Sequence, residues 1–218
     1  WPKGVAKMAA TVRQIKGAGL AAGTPTRDRT RTVGSRARSI AANLRRRTEQ
    51  AKDEVRAINA DLVTVAEQAV GEALAVVRNA RRKLRQSGAG TSGRTRAAVE
   101  QLQRTAQRVA RVAEQTRQRL AGVTPDGATR LVSLHDPDAR PIAKGRLGKP
   151  VEFGYKAQVV DNEDGVVIDH TVEAGNPPDA PMLVPAVERI RRRAGKPPRA
   201  VTADRGYGQA AVESPNSR

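Results

Sequence analysis

Residues 151–174 read VEFGYKAQVVDNEDGVVIDHTVEA and decide the fold of the second half of the chain. Along the first ten of these residues, apolar and polar side chains alternate, which is the period of a half-buried strand. The apolar positions, expected to face the core together, are Val151, Phe153, Tyr155, Ala157 and Val159. DNEDG at 161–165 has the composition of a hairpin turn, and residues 165–174 read as the returning strand. The stretch therefore predicts an antiparallel β-hairpin.

The residues after this hairpin predict a helix and then another strand. GNPPDAP opens the helix, with Asp179 as a plausible N-cap and Pro181 in the first turn. The helix should run from about 180 to 194 and end at RRRAG, where basic residues precede a glycine. RAVTAD, ending at residue 204, reads as a buried strand that a helical crossover would bring in parallel. The order predicts an α/β domain with a mixed sheet.

Asp204 is the candidate functional residue that this predicted order of strands and helix indicates. It sits at the carboxyl end of the predicted 200–204 strand, where reactive groups gather in such sheets. Gly206 and Gly208 let the chain turn sharply after it. A carboxylate there is a suitable oxygen ligand for Mg²⁺. The simpler interpretation is an aspartate that caps the next turn.

Charge divides the 218-residue chain in two. The whole chain has 40 Lys+Arg, 22 Asp+Glu and a net charge of +18. Residues 1–122 carry 26 basic and 9 acidic side chains, whereas residues 123–218 are nearly neutral at +1. We therefore expect a basic segment over 1–122 and a separate domain over 123–218. A charge of this size indicates an anionic partner, usually nucleic acid.

Composition also excludes several classes of protein. There is no cysteine, which rules out disulfides and thiolate chemistry and fits a cytoplasmic location. No apolar run approaches the ~20 residues of a membrane span, so we expect no membrane partner. Aromatic residues are only 2% of the chain, which argues against stacking platforms for single-stranded nucleic acid.

The basic segment has the periodicity of long amphipathic helices. Apolar residues recur every three or four positions over 33–85, with gaps at Arg47 and near Glu72. After SGAGTSG at 87–93, a heptad seam runs from Val99 to Leu120. A short loop between two such helices predicts a coiled-coil-like antiparallel hairpin with a thin, alanine- and valine-rich core. Residues 1–16 predict a further short helix.

Cationic clusters are the candidate nucleic-acid contacts. In the helical segment they include Arg45, Arg46 and Arg47, which either bind phosphates without sequence preference or form a solvated face. Residues 123–150 predict an irregular stretch with a short strand near Leu131–Leu134. Three cations among glycines there could grip phosphate or simply keep a loop soluble: Lys144, Arg146 and Lys149.

Acidic residues around the hairpin form a second group that resembles a metal site in composition alone. They are Asp161, Glu163, Asp164 and Asp169. A solvated hairpin turn explains most of this group.

Four landmarks, taken in order, resemble the DDE transposases of bacterial insertion sequences. They are KGRLGKPVEFGYKAQV, the Asp-Gly hairpin, EAGNPPD and VTADRGYG, and the resemblance covers 131–212. It implies a ribonuclease H-like fold in which three carboxylates hold two Mg²⁺ ions for cleavage and strand transfer of double-stranded DNA. The resemblance also allows that the complete enzyme assembles as a homo-oligomer.

Only one carboxylate of the family can be carried over to this sequence. Asp204, in ADRGY, matches the second acid, and Arg205 beside it is a candidate DNA contact. The first acid would precede the chain and the third would follow it, while Glu213 matches neither. We therefore expect a partial product that is inactive alone. The alternative is a non-enzymatic basic helical protein that coats nucleic acid.

Overall fold

The computed structural model describes residues 1–86, 92–144 and 151–207, and of Arg205 only the backbone. It contains two compact units. The first, here the helical unit, comprises Trp1–Asp126 with Ser133–Pro137. The second, here the sheet unit, comprises Gly127–Val132 with the chain from Asp138 onward. None of the helices in the described ranges is long and apolar enough to cross a membrane.

The described residues of the helical unit form four helices: α1 (Pro2–Gly17), α2 (Thr30–Leu44), α3 (Glu49–Gln86) and α4 (Gly93–Leu120). The short helix predicted over 1–16 is confirmed as α1. The single helix predicted over 33–85 is wrong, because the chain breaks between α2 and α3. Arg47 has a positive φ of 54° there, and the Thr48 hydroxyl accepts a hydrogen bond from Ala51 N at 3.2 Å. Thr48 therefore caps a new helix.

Helices α3 and α4 pack as the predicted antiparallel hairpin. Arg117 pairs with Glu67, and these residues lie at comparable distances from the connection between the two helices. The predicted seam of α4 is buried from Val99 to Ala113, whereas Leu120 at its end is 37% exposed. The buried face of α3 is wider than its predicted stripe because α2 and α1 also pack against it. The additional buried positions are Val63, Ala66, Val70, Ala73, Val77 and Ala80.

The core between α3 and α4 is rich in alanine and valine, as predicted, with Leu62 and Leu102 as its largest buried side chains. Close approach of helices compensates for the small size of the alanines and valines, and Gly4 on α1 shows how tight this becomes. A Cβ at residue 4 would lie 2.7 Å from Val109 Cγ2 and 2.9 Å from Leu134 Cδ1. Only a glycine hydrogen fits between α1, α4 and the 133–137 segment.

An ion pair between Arg29 and Glu72 joins the start of α2 to the middle of α3. The Arg29 guanidinium donates to both oxygens of Glu72, at 2.9 and 2.8 Å, and Arg27 N adds a third bond at 2.7 Å. The hydrogen bond from Arg29 holds the pKa of Glu72 below its ordinary value, although partial burial opposes this shift. Glu72 interrupts the apolar stripe of α3 because it serves this contact.

Where the structure describes the sheet unit, it has three strands and one α-helix: β1 (Arg140–Ala143), β2 (Val151–Asp161), β3 (Val167–Ala174) and α5 (Ala180–Ala194), followed by a 3₁₀ turn at Arg205–Tyr207. The sheet order is β1-β2-β3, and both pairings are antiparallel. The predicted hairpin and helix are confirmed, as is the α/β class. Gly195 closes α5 in the left-handed conformation with φ of 70°.

Two predicted strands do not form. Residues 200–204 are irregular, exposed chain that pairs with no described strand, so the predicted parallel strand is wrong and the three described strands form an antiparallel sheet. Val201, expected to be buried, is 50% exposed. Pro197 and Pro198 precede the segment and offer no N–H for pairing. Leu131–Leu134 is also irregular, and the first strand lies instead at 140–143.

The sheet buries the opposite face from the one that alternation predicts. The apolar positions of β2 face solvent, with Phe153 60% and Val159 58% exposed, and Val172 of β3 is 61% exposed. The polar positions lie on the other face, where Gln158 and Asp169 are almost fully buried. The prediction failed because it assumed that polar side chains stay in water, whereas here they bind one another and α5.

Candidate functional site

Asp204 lies in a tight turn that it holds together itself. Its Oδ1 accepts a hydrogen bond from Gly206 N at 2.8 Å, and its carbonyl accepts one from Tyr207 N at 3.1 Å. This is the turn-capping geometry expected of an aspartate. The residue is exposed, and its Oδ2 has no partner among the described side chains. One oxygen thus closes the turn and the other is available to a ligand.

A second carboxylate, that of Asp179, borders the same turn. The position that a Cβ would occupy at Gly206 lies 2.8 Å from Asp179 Oδ2 and 3.1 Å from Asp204 Oδ1. The glycine is therefore required here for space, since its φ lies outside the left-handed range. The α5–turn contact brings together residues that are far apart in sequence, so sequence reasoning assigned Asp179 only a capping role.

Lys156 of β2 holds Asp179 in place. Its ammonium lies 2.6 Å from Asp179 Oδ1 and donates to the carbonyl of Pro177 at 2.6 Å. Asp179 is positioned as the N-cap of α5, as predicted, but its side chain makes no capping hydrogen bond. The carboxylate faces Lys156 instead of the helix.

Gln158, two residues further along β2, reaches the other end of the turn. Its amide nitrogen donates to Met182 O at 3.2 Å and contacts Tyr207 Oη at 3.3 Å. Its Oε1 accepts from Arg189 Nη2 at 3.4 Å. Tyr207 therefore contacts a buried polar side chain through its hydroxyl.

Asp169 is a buried anchor for α5. Arg189 Nε donates to its Oδ2 at 2.8 Å, and Arg193 Nη1 lies 2.8 Å from its Oδ1 as a charge contact without hydrogen-bond alignment. The Arg189 hydrogen bond is the main reason that the pKa of Asp169 lies below its ordinary value, and desolvation opposes the shift. The expectation that this residue belongs to a solvated turn is wrong, whereas Asp161, Glu163 and Asp164 are exposed.

The described residues do not form a complete site for two divalent cations. No group of three His, Asp or Glu side chains in these ranges is arranged to hold a metal. Asp204 offers one oxygen, and Asp179 beside it is already neutralised by Lys156. The donor set therefore fits at most a fragment of a metal centre, and no catalytic step through a metal follows from it.

The predicted DNA contacts fall into three groups. Lys144 follows β1, where its ammonium lies 3.6 Å from Glu152 Oε2. Arg146 and Lys149, and the side chain of Arg205, lie outside the described residues. Arg45, Arg46 and Arg47 are all exposed at the break between α2 and α3, and Arg46 contacts Asn43 and Glu54.

A second exposed cationic group marks the hairpin end of α3 and α4. It consists of Arg78, Arg81, Arg82 and Arg85 on α3 with Arg94 and Arg96 on α4. Cations suit the last turns of α3, but they are unfavourable at the start of α4, where the helix dipole is positive. The positive charges of Arg94 and Arg96 are repelled by the positive end of the α4 dipole. An anion bound between the arginines would relieve this repulsion.

The sheet unit carries the Asp204 turn beside a small antiparallel sheet. Residues 126–214 match the family described as Transposase DDE domain. The match confirms the resemblance to DDE transposases for this part of the chain, and it supports a transposase-type function that acts on DNA. DDE transposases generally use a divalent metal. No curated protein and no solved structure matches the chain.

Proposed function

We propose that this chain contributes to a Mg²⁺-dependent DDE transposase that cleaves DNA strands and joins them to a new site. The observation that carries the proposal is the family match over 126–214, which includes the turn at Asp204. In this proposal residues 123–218 belong to the catalytic domain and residues 1–122 to a DNA-binding segment. The complete enzyme would act in the cytoplasm on double-stranded DNA, with a homo-oligomer as its possible assembly.

Asp204 is the proposed catalytic carboxylate and metal ligand of the complete enzyme. Its exposure supports this role, as does its Oδ2, which has no partner among the described side chains. When bound by the carboxylates of such an enzyme, Mg²⁺ ions stabilise the attacking and leaving oxygens of phosphodiester chemistry. What this chain itself supplies is one carboxylate, held in a fixed orientation by the amide of Gly206.

The helical unit is proposed to bind duplex DNA through its phosphates. Its charge of +17 over residues 1–122 and the exposure of the cations at both ends of α3 support this role. Lys144, Arg146, Lys149 and Arg205, within the catalytic domain, are proposed as further contacts. Such contacts give affinity without sequence preference and are weakened by salt.

The test is strand nicking by a complete DDE transposase that contains this chain together with the other catalytic carboxylates, here called the restored enzyme. Asp204→Asn should abolish Mg²⁺-dependent nicking while leaving DNA binding intact, and Asp164→Asn, an exposed hairpin-loop control, should nick like the parent. Undiminished nicking by Asp204→Asn would remove Asp204 from the site. Nicking by the present chain alone would show that the described residues do not account for all of the carboxylates.

A non-enzymatic basic helical protein is the second candidate function, supported by the charge of the helical unit alone. The family match does not favour it. It would be preferred if the restored enzyme bound DNA in a salt-dependent way but never nicked it.

A further inference from the structure

We propose that the buried polar face of β2 positions the Asp204 turn, with Lys156 and Gln158 as its two positioning residues. The inference rests on the proposed function, because it concerns the carboxylate assigned there. Neither residue contacts Asp204. Each acts through a neighbour of the turn, Lys156 through Asp179 and Gln158 through Tyr207.

The first support comes from strand geometry. Side chains two residues apart on a strand point to the same face, so Lys156 and Gln158 project side by side toward α5. Lys156 is 19% exposed at its side chain and Gln158 is 6% exposed as a residue. Both are thus held in a packed environment with few alternative rotamers, which is what a positioning residue requires.

The second support comes from the way the turn is held at two points. At its middle, Gly206 fits against the Asp179 carboxylate that Lys156 neutralises. At its end, the Tyr207 hydroxyl reaches the Gln158 amide. The segment before the turn, residues 200–204, has no strand pairing to fix it. These two contacts therefore replace the strand that sequence reasoning expected to orient the carboxylate.

The third support is the inverted sheet. A strand with Phe153, Tyr155 and Val159 on one face would bury more apolar area by turning that face toward α5. It instead places Lys156 and Gln158 under the helix, where both have partners. The arrangement is understandable if the polar face has a task that apolar side chains cannot perform.

The experiment uses the full chain, labelled with ¹⁵N, and measures amide–water exchange by NMR at Gly206, whose amide donates to Asp204 Oδ1. Tyr207→Phe removes only the hydroxyl, and Lys156→Met removes the ammonium, with its contact to Asp179 and its hydrogen bond to Pro177 O, while keeping a side chain of similar length. Each should speed exchange of the Gly206 amide by about tenfold while the paired amides of β2 and β3 keep their protection. Lys196→Met, at an exposed lysine of the same unit, is the matched control and should change nothing.

Rescue separates positioning from simple stability. Lys156→Arg retains the charge that faces Asp179 and should restore slow exchange at Gly206, which a loss of packing alone would not do. If Lys156→Met also exposes the β2–β3 amides, the Tyr207→Phe variant decides the question. Unchanged Gly206 exchange in Tyr207→Phe, or a failure of Lys156→Arg to restore it, would overturn the proposal.

A second readout distinguishes failure of this inference from failure of the proposed function. Mn²⁺ added to the chain should broaden the amide signals around Asp204 if that carboxylate takes a divalent cation. Broadening that shifts away from Asp204 in Lys156→Met and Tyr207→Phe supports positioning. Absence of broadening in the parent chain contradicts the ligand role of Asp204, whereas the exchange rates still decide whether β2 holds the turn.

Discussion

Lys156 and Asp179, which are 23 positions apart in the sequence, meet with their charged groups 2.6 Å apart, and the carboxylate so held borders Gly206 of the Asp204 turn. The contact joins the central strand of the sheet to the start of α5 and to the candidate ligand. Substitutions around it should therefore affect the orientation of the turn more than the stability of the sheet.

Gly206→Ala should displace the turn. The new methyl group would meet Asp179 Oδ2 at 2.8 Å and Asp204 Oδ1 at 3.1 Å, so one carboxylate must move. We expect the amide of residue 206 to lose its hydrogen bond to Asp204 Oδ1. This loss should be seen as faster amide–water exchange at residue 206. Gly127→Ala is the control, because its nearest neighbour, Pro141 Cγ, lies 3.7 Å away. Equal spectra for the two variants around residue 204 would contradict the crowding that we describe.

Gly4→Ala should destabilise the helical unit despite the better helix propensity of alanine. Its Cβ would lie within 2.9 Å of both Val109 and Leu134, and overpacking of this kind costs about 1–3 kcal/mol. Gly71→Ala on α3 meets nothing within 4 Å and should instead stabilise by about 1 kcal/mol. Urea titration followed by helical circular dichroism measures both changes. Changes of the same sign in the free energy of unfolding of the two variants would refute the close contact of α1 with α4.

Glu72→Gln should lower the stability of the helical unit by about 1.5–3 kcal/mol, the range for hydrogen bonds to charged groups. Because the pKa of Glu72 in the folded state lies below its ordinary value, the contribution of the carboxylate is complete above that ordinary value. It is lost as the pH falls through the lowered pKa. In urea titrations the difference in stability between parent and variant should therefore be full at pH 7 and should shrink as the pH falls below the ordinary pKa of a glutamate. A difference that stays constant with pH would exclude the ion pair as its cause.

Replacing Arg45, Arg46 and Arg47 together by glutamine should weaken binding of the chain to duplex DNA and reduce the salt dependence of the affinity. Each lost phosphate contact lowers the slope of log K against log salt by about 0.9. Fluorescence anisotropy at several salt concentrations measures the slope. Replacing Arg13, Arg56 and Arg104, which are already paired with acids, provides a control of equal charge change. Identical slopes for the two triple variants would show that binding depends on net charge alone.

Phe153→Thr should reduce self-association of the chain. The side chain is 60% exposed on the apolar face of β2, and exposed apolar sheet surface favours contact between copies. Sedimentation velocity over a range of concentrations should show less of the associated species than for the parent. Val123→Thr, at an exposed valine of the helical unit, should leave the distribution unchanged. More association in Phe153→Thr would contradict the prediction.

Sequence patterns predicted most of the local structure because that structure depends on local signals. The Asp-Gly turn, the proline at the start of α5 and the heptad seam of α4 each act within a few residues, and each is found where predicted. The break before α3 was missed because the Thr48 cap interrupts a stripe that periodicity alone continues. The sheet face was inverted because contacts of Lys156 and Gln158 with distant partners decide it.

The candidate site was predicted only at Asp204, and for a related reason. Its motif is contiguous in sequence, so it is visible there, whereas Asp179, Lys156 and Gln158 join it through folding. A weak signal existed in the polar residues that interrupt the apolar run of β2. These polar residues become informative only when the apolar face of β2 is known to be exposed.

The length of helix α3 sets the distance between two groups of exposed arginines. Its 38 residues make a rod about 57 Å long at about 1.5 Å per residue, with exposed arginines just before its start and along its last turns. That length corresponds to about one and a half turns of duplex DNA, taking about 35 Å per turn. A duplex much shorter than this can reach only one of the two arginine groups at a time. Affinity measured against duplex length should therefore rise in a step near 16 base pairs, about the length at which a straight duplex spans the rod.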